Sequence, residues 1–358
     1  MEIDRRDVIK GSIGMTTLAA TAMKVVHAQP SGPDPLAHVH PELRAAAREM
    51  QRFASPSDAT IDVKTLAAGR SQMPIIPCLA APHVEQRQIK GPTGGPDVTI
   101  YIVNGKAGGE RPVIVHLHGG GFVLGTAESG LAALQTQSLV LDCVIVTVDY
   151  RLSPETIFPG PLEDAYAALN WVHAHCADFG GDTDRIAVQG ESAGGGLAAM
   201  LAIAARDRKK VPLVHQSLIY PMLDDRTGGE CPAPSTVGTL GWTGPLNQVG
   251  WTAFLGQAPS VGFAPPPGSV PARLANLGGL PSTFIGVGAI DLFVGEDVHY
   301  ARRLIEQSVS TELLVVPGAF HGFDVAAPKS NVARFFRLAQ LNALALAFGQ
   351  PRLERLPA

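Results

Sequence analysis

From residue 98 onward the apolar positions of the chain fall into two alternating kinds of run. VTIYIV, PVIVHLH, CVIVTVDY, RIAVQG and LVHQSLIYP are short and rich in β-branched residues, which predicts strands. SGLAALQTQSLV, PLEDAYAALNWVHAHCADF and AGGGLAAMLAIAARDR are longer and predict helices between them. Strands that are apolar along their whole length, interleaved with helices, call for a mostly parallel sheet covered on both faces. Residues 222–275 break this rhythm, with Pro, Gly and Trp in irregular order across DDRTGGECPAPSTVG and APPPGSVPARL. STFIGVG, EDVHYARRLIEQS, TELLVVPG and a helix from about Asn331 to Phe348 then restore it. The irregular stretch is therefore predicted to be an insertion above a continuing sheet rather than a linker between domains. Ahead of the sheet, PSGPDPLAHVHPELRAAAREMQRFA predicts one further helix, and no internal repeat is visible.

Composition agrees with one large α/β core carrying an extra lobe: 358 residues, 46% hydrophobic and 17% charged, supply ample apolar material and exclude wholesale disorder. A net charge of -4 offers no basic surface for nucleic acid, and RDRKK at 206–210 reads as a solvated helix end. The first residues differ in character. DRRDVIK (Asp4 to Lys10) precedes the mildly apolar GSIGMTTLAATAM and then VHAQP, where Val26 and Ala28 stand as small residues do before a cleavage site. Carried by Arg5, Arg6 and Lys10, this resembles a twin-arginine export signal over residues 1–28, although Asp4 and Val8-Ile9 depart from the pattern. Export to the periplasm or medium is the expectation; an amphipathic helix kept on a cytoplasmic protein is the alternative. Lys24 and His27 interrupt a segment too short and polar to span a membrane. Cys143 reads as a buried strand residue, and Cys78, Cys176 and Cys231 lack the spacing of a zinc or redox motif, leaving one disulfide open if the protein is exported.

The chemistry concentrates in RIAVQGESAGG. It holds G-x-S-x-G as Gly190, Glu191, Ser192, Ala193 and Gly194, set after a predicted strand and before a predicted helix. A strand-to-helix turn of this kind lifts a serine Oγ clear of the sheet, and flanking glycines let the backbone turn without a Cβ clash. GGGLAA at 194–199 also matches a dinucleotide fingerprint, but its glycines fall inside the helix and no acid follows at the next strand's end, which argues against a nucleotide site. A serine hydroxyl needs a base to take its proton and an acid to orient the base. Of 11 histidines, His173 and His175 face different ways on a helix, and His116 and His118 share a strand face without a third ligand. His321 instead lies in VVPGAFHGF, a loop just after a strand, and Asp291 ends the strand in FIGVGAIDLF. Ser192, Asp291, His321 is the chain order of the α/β-hydrolase triad. The glycines after VIVHLH supply the remaining need: Gly119 and Gly120, with the Ala193 amide, form a three-donor hole for the oxyanion of an attacked carbonyl.

HGGGF (His118 to Phe122), DYRLSPE (Asp149 to Glu155), GESAGG (Gly190 to Gly195), YPMLDDR (Tyr220 to Arg226), DLF at Asp291 and HGF at His321 together resemble the hormone-sensitive-lipase family of α/β-hydrolase esterases, over roughly residues 85–345. The resemblance implies an α/β-hydrolase fold: a mostly parallel central sheet with helices on both faces and a small, mainly helical cap. It also implies a Ser-Asp-His triad, no cofactor, no metal, and short- to medium-chain esters as substrates. The cap then comes from 29–85 and 222–275, and the core from 86–221 and 276–358. Glu191 stands where Asp or Thr is common, and Ser153 where Ala is usual. Phe122, Glu191, Trp242 and Leu292 are candidates for the substrate pocket, with Trp251 and Phe254 either beside them or forming the cap's own core. Asp149, Arg151, Glu155, Tyr220 and Asp224 read as residues that pin loops near the site. An amidase or lactonase could use the same triad, and a non-catalytic ligand-binding protein could use the same fold. A small-molecule ester is the expected partner, and since family members commonly self-associate a homo-oligomer stays open.

Overall fold

The computed structural model describes residues 36–53, 64, 69–72 and 76–356; residues 1–28, where an export signal is expected, lie outside them. Eight strands form one sheet: β1 Val84–Ile89, β2 Val98–Val103, β3 Arg111–Leu117, β4 Val144–Asp149, β5 Gly181–Glu191, β6 His215–Ile219, β7 Ser282–Gly288 and β8 Thr311–Val316. Their order is β1-β2-β4-β3-β5-β6-β7-β8. β1 runs antiparallel to β2 and β2 antiparallel to β4; every other pair is parallel. The strand runs become the interior: β3 is buried at every position after Arg111, and β6 throughout, including its polar His215, Gln216 and Ser217.

β1 has no counterpart in the hydrophobic pattern. VEQRQI buries only Ile89, since it is an edge strand whose backbone is held by pairing from Val84↔Val103 to Ile89↔Val98 rather than by side-chain burial.

Helices cover both faces. α1 spans Arg44–Phe53, α2 Leu131–Val140, α3 Gly160–His175, α4 Ala193–Arg208, α5 Gly244–Leu255, α6 Val294–Glu306, α7 Phe323–Ala326 and α8 Asn331–Ala347. Leu131 and Leu134 of α2 pack with Leu341 and Leu344 of α8 over Ile114, Ile145 and Ala187, while α3, α4 and α6 bury their apolar sides on the opposite face. The run predicted as one helix over 161–179 ends its α-helix at His175 and finishes as a 3-10 turn, Cys176–Phe179, stopped by Gly180 at φ +71°. The helix predicted ahead of the sheet is α1. It is preceded by residues that bury Leu36, Val39 and Leu43 against Phe284, Val316 and Phe320, and its own Ala47 joins them. Within 222–275 the insertion holds α5 and a 3-10 turn, Pro271–Arg273. All four cysteines are free thiols. Among the described residues no helix is long and apolar enough to cross a membrane.

Candidate active site

Ser192 occupies the single position between the last residue of β5 and the first of α4, with φ 56° and ψ -122°. Such a conformation costs a side-chain-bearing residue on the order of 1–3 kcal/mol, so the surroundings must impose it. They do so through three main-chain bonds: Ser192 N–H donates to the Ile219 carbonyl at 2.9 Å, and the Ser192 carbonyl accepts from Met222 and Gly196, both at 3.0 Å. The turn is also too tight for side chains on either flank. A Cβ on Gly190 would lie 2.2 Å from the Gly194 oxygen, and one on Gly194 would lie 2.1 Å from the Leu117 oxygen. The two motif glycines are thus required by close backbone approach.

Parallel strands deliver the partners to the same edge of the sheet. Asp291 follows β7 by three residues and His321 follows β8 by five. His321 Nδ1 lies 2.9 Å from Asp291 Oδ2, and His321 Nε2 lies 3.0 Å from Ser192 Oγ. Asp291 is fully buried, and its Oδ1 accepts the Phe293 N–H at 3.0 Å, so both carboxylate oxygens are used. With Nδ1–H donating to the carboxylate, Nε2 is left to accept from the serine hydroxyl. The imidazole is walled by Tyr220 and Phe293, edge-on at 4.7 and 5.2 Å between ring centres. The insertion closes over it: a Cβ on Gly241, at φ +79°, would sit 2.3 Å from the His321 carbonyl oxygen.

The triple glycine after β3 forms a loop pressed against this turn. Gly120 adopts φ +124°, where a Cβ would meet the Leu124 oxygen at 2.1 Å. Among the described residues the amides of Gly119, Gly120 and Ala193 donate to no acceptor. His118 stacks on Tyr150 at 4.3 Å, the Tyr150 hydroxyl donates to the His118 carbonyl at 2.6 Å, and His118 Nδ1 donates to the Gly119 carbonyl at 2.8 Å. Burial pushes the His118 imidazole down to about 4, so it is a neutral buttress at physiological pH.

The expected loop-pinning residues do pin loops. Asp149 accepts from the Ala127 amide, Arg151 pairs bidentately with Asp164, Asp224 holds Arg226, and Glu155 binds Arg70, which also donates to the Val123 and Ser153 carbonyls. Tyr220 donates to Asp324 Oδ1 at 2.9 Å.

The pocket candidates divide. Trp242 lies over Gly121 and 6.5 Å from the His321 ring, and Leu292 sits between Asp291 and Phe293 against Gly238. Glu191 adjoins Ser192. Phe122 does not line a pocket: it has no exposed surface and stacks on Phe254 at 4.1 Å, with Trp251 edge-on at 5.3 Å. Phe122, at φ 64°, and the insertion's Trp251 and Phe254 instead join the main core on the sheet, beside Leu117, Val148 and Leu197. His116 and His118 also separate: only His116 lies in β3, and it contacts Thr147 and Glu191. Both partners of His116 are distant along the chain, 31 and 75 positions away, so no local spacing signals these contacts. No group of three His, Cys, Asp or Glu side chains is arranged to hold a metal among the described residues.

Residues 114–325 match the model of a family described as alpha/beta hydrolase fold. The chain belongs to this family, as its hormone-sensitive-lipase-like motifs imply. The chain is 35% identical over 217 residues to the esterase LipI of Mycobacterium tuberculosis, covering 60% of this chain and 66% of that one. Over a stretch of equal length it is 36% identical to the carboxylesterase NlhH of the same organism, covering 59% and 66%. The chain thus matches just under two thirds of the length of these relatives. Among solved structures it resembles a bacterial heroin esterase, with TM-score 0.75 and 32% identity over 88% of this chain and 99% of that one. It also resembles the esterase LipW from Mycobacterium marinum, with TM-score 0.70 and 32% identity over 88% and 98%.

Proposed function

We propose that this hydrolase is a serine carboxylesterase acting on short- to medium-chain esters through an acyl-enzyme on Ser192. The observation that carries the reading is the unbroken Ser192–His321–Asp291 hydrogen-bond array beside three uncommitted amides. Ser192 Oγ attacks the ester carbonyl while His321 Nε2 takes the hydroxyl proton. The carbonyl oxygen becomes an oxyanion and accepts hydrogen bonds from the Gly119, Gly120 and Ala193 amides, each worth about 3–4 kcal/mol in the transition state. The C–O bond to the alcohol then breaks, and His321 returns the proton to the departing alkoxide. Water attacks the acyl-enzyme with His321 again as base, releasing the acid and restoring the serine. Asp291 fixes the imidazole tautomer and stabilises the imidazolium in both half-reactions.

Several further assignments accompany this reading. Residues 29–85 and 222–275 form the cap, a division supported by the packing of 36–47 and of Gly241 against the His321 loop. Trp242 and Leu292 border the substrate, and residues 1–28 direct export. The substrate is a small molecule, and light scattering reports whether the hydrolase self-associates. Hydrolysis of p-nitrophenyl esters from acetate to palmitate, with Ser192→Ala alongside, tests the central claim. Turnover on the shorter chains should vanish in the variant while the circular dichroism spectrum is kept. A variant retaining a tenth of wild-type activity removes Ser192 as the nucleophile. Silence on all esters, with turnover of an anilide or lactone, moves the reaction to those substrates.

A further inference from the structure

Glu191 carries a charge that the ester-cleavage chemistry above does not use. It ends β5 and immediately precedes Ser192. Its Oε2 accepts from His116 Nε2 at 2.9 Å, and Oε1 lies 3.4 Å from Gln189 Nε2. His116 is buried behind it, and its other nitrogen lies 2.8 Å from the Thr147 hydroxyl. Burial opposes ionisation of Glu191, but His116 and Gln189 together outweigh it and hold the carboxyl below its ordinary range.

No lysine or arginine is paired with this carboxylate among the described residues. Arg70 is taken by Glu155, Arg151 by Asp164, and Arg337 donates to the Asp324 carbonyl. Of the other carboxylates, Asp291 holds His321, Asp149 accepts from the Ala127 amide, and Asp324 meets Tyr220 with Arg337 close by. The field of Glu191 acts on Tyr150 and His118 on one side and on Tyr220 and Asp324 on the other. The carboxylate therefore belongs to the residue that links the glycine loop, whose Gly119 faces the Glu191 main-chain oxygen, to the nucleophile Ser192. Its side chain is 30% exposed there. A carboxylate has about four acceptor positions, and two are filled from behind.

We propose that Glu191, backed by His116, makes this site selective for esters that carry a positive charge near the scissile bond. This rests on the esterase reading and adds a substrate class to it. A quaternary or protonated amine within about 6 Å of Glu191, at an effective dielectric of about 40 for a half-open site, gains about tenfold in kcat/KM over a neutral isostere. An anionic analogue loses by a similar factor. A purely structural Glu191–His116 pair would shift all substrates together and leave that ratio the same in wild type and Glu191 variants.

The experiment measures kcat/KM for two isosteric pairs: choline against 3,3-dimethylbutyl butyrate, with the charge on the alcohol, and methyl betaine ester against methyl 3,3-dimethylbutanoate, with the charge on the acyl group. Glu191→Gln and Glu191→Asp are run beside the wild type. The expected result is a cationic-to-neutral ratio near ten in at least one pair, kept in Glu191→Asp and falling toward one in Glu191→Gln. The ratio is internal to each enzyme sample, so a variant that folds less well still reports it. If neither variant folds, the wild-type ratio decides, together with its decline as sodium chloride rises from 50 to 500 mM. Neutral esters turned over with wild-type ratios near one in both pairs, or a ratio unchanged by Glu191→Gln, overturns the proposal and leaves the esterase reading intact. No turnover of any ester by the wild type overturns both.

Discussion

Asp291→Asn isolates the orienting acid with almost no change of shape. In the wild type the carboxylate accepts from His321 Nδ1–H at 2.9 Å and from the Phe293 amide at 3.0 Å, with no solvent exposure. An asparagine can keep only one of these as acceptor. If its oxygen stays on the Phe293 amide, its NH2 faces Nδ1, which must then be the unprotonated nitrogen. The proton moves to Nε2, where it points at Ser192 Oγ, and the ring can no longer act as base. Charge is lost as well. With the carboxylate and imidazolium centres about 4 Å apart and an effective dielectric of about 20, their attraction is about 4 kcal/mol, or three factors of ten in rate. The tautomer penalty adds to this, so kcat/KM for p-nitrophenyl butyrate should fall about 10³- to 10⁴-fold at pH 7.5. Thermal unfolding of the variant should stay close to wild type, since the weakened hydrogen bond is offset by removing a charge from a fully buried position. A variant within tenfold of wild-type activity, and equally stable, would refute this account of the array.

Two further outcomes follow from particular contacts. Gly241→Ala places a methyl where the His321 carbonyl lies 2.3 Å away, at φ +79°, so kcat should drop at least tenfold with KM little changed, together with about 1–3 kcal/mol of stability in urea titrations. His215 is buried against Ser282 with its second nitrogen unpartnered, and burial pushes it down to about 3. The unfolded chain then binds the proton first, so this residue costs stability as pH falls below about 6.5; between pH 7.5 and 5 the wild type should lose about 2 kcal/mol more than His215→Gln, and equal losses would show that His215 is not buried neutral.

What could be read from the chain by itself was whatever depends on neighbours in sequence. The largely apolar runs of β3 and β4, VIVHL and VIVTV, announced a covered parallel sheet, because a strand buried on both faces has little polar side to alternate with. Gly190, Ser192 and Gly194 announced the turn because its steric demands fall within five residues, and the order Ser192, Asp291, His321 followed from where strands end. Tertiary structure alone decided the rest. β1 is polar because an edge strand is held through its backbone, so no periodicity marks it. Phe122 looked like a pocket residue, yet it joins Trp251 and Phe254 in the main core. His116 and Glu191 lie 75 positions apart. They meet only because β3 and β5 are neighbours in a sheet whose order differs from chain order. The docking of residues 36–47 on the His321 loop is of the same kind. Local steric rules act over a few residues and leave a signature in sequence, whereas contacts made across a crossover depend on the arrangement of the whole sheet and leave none.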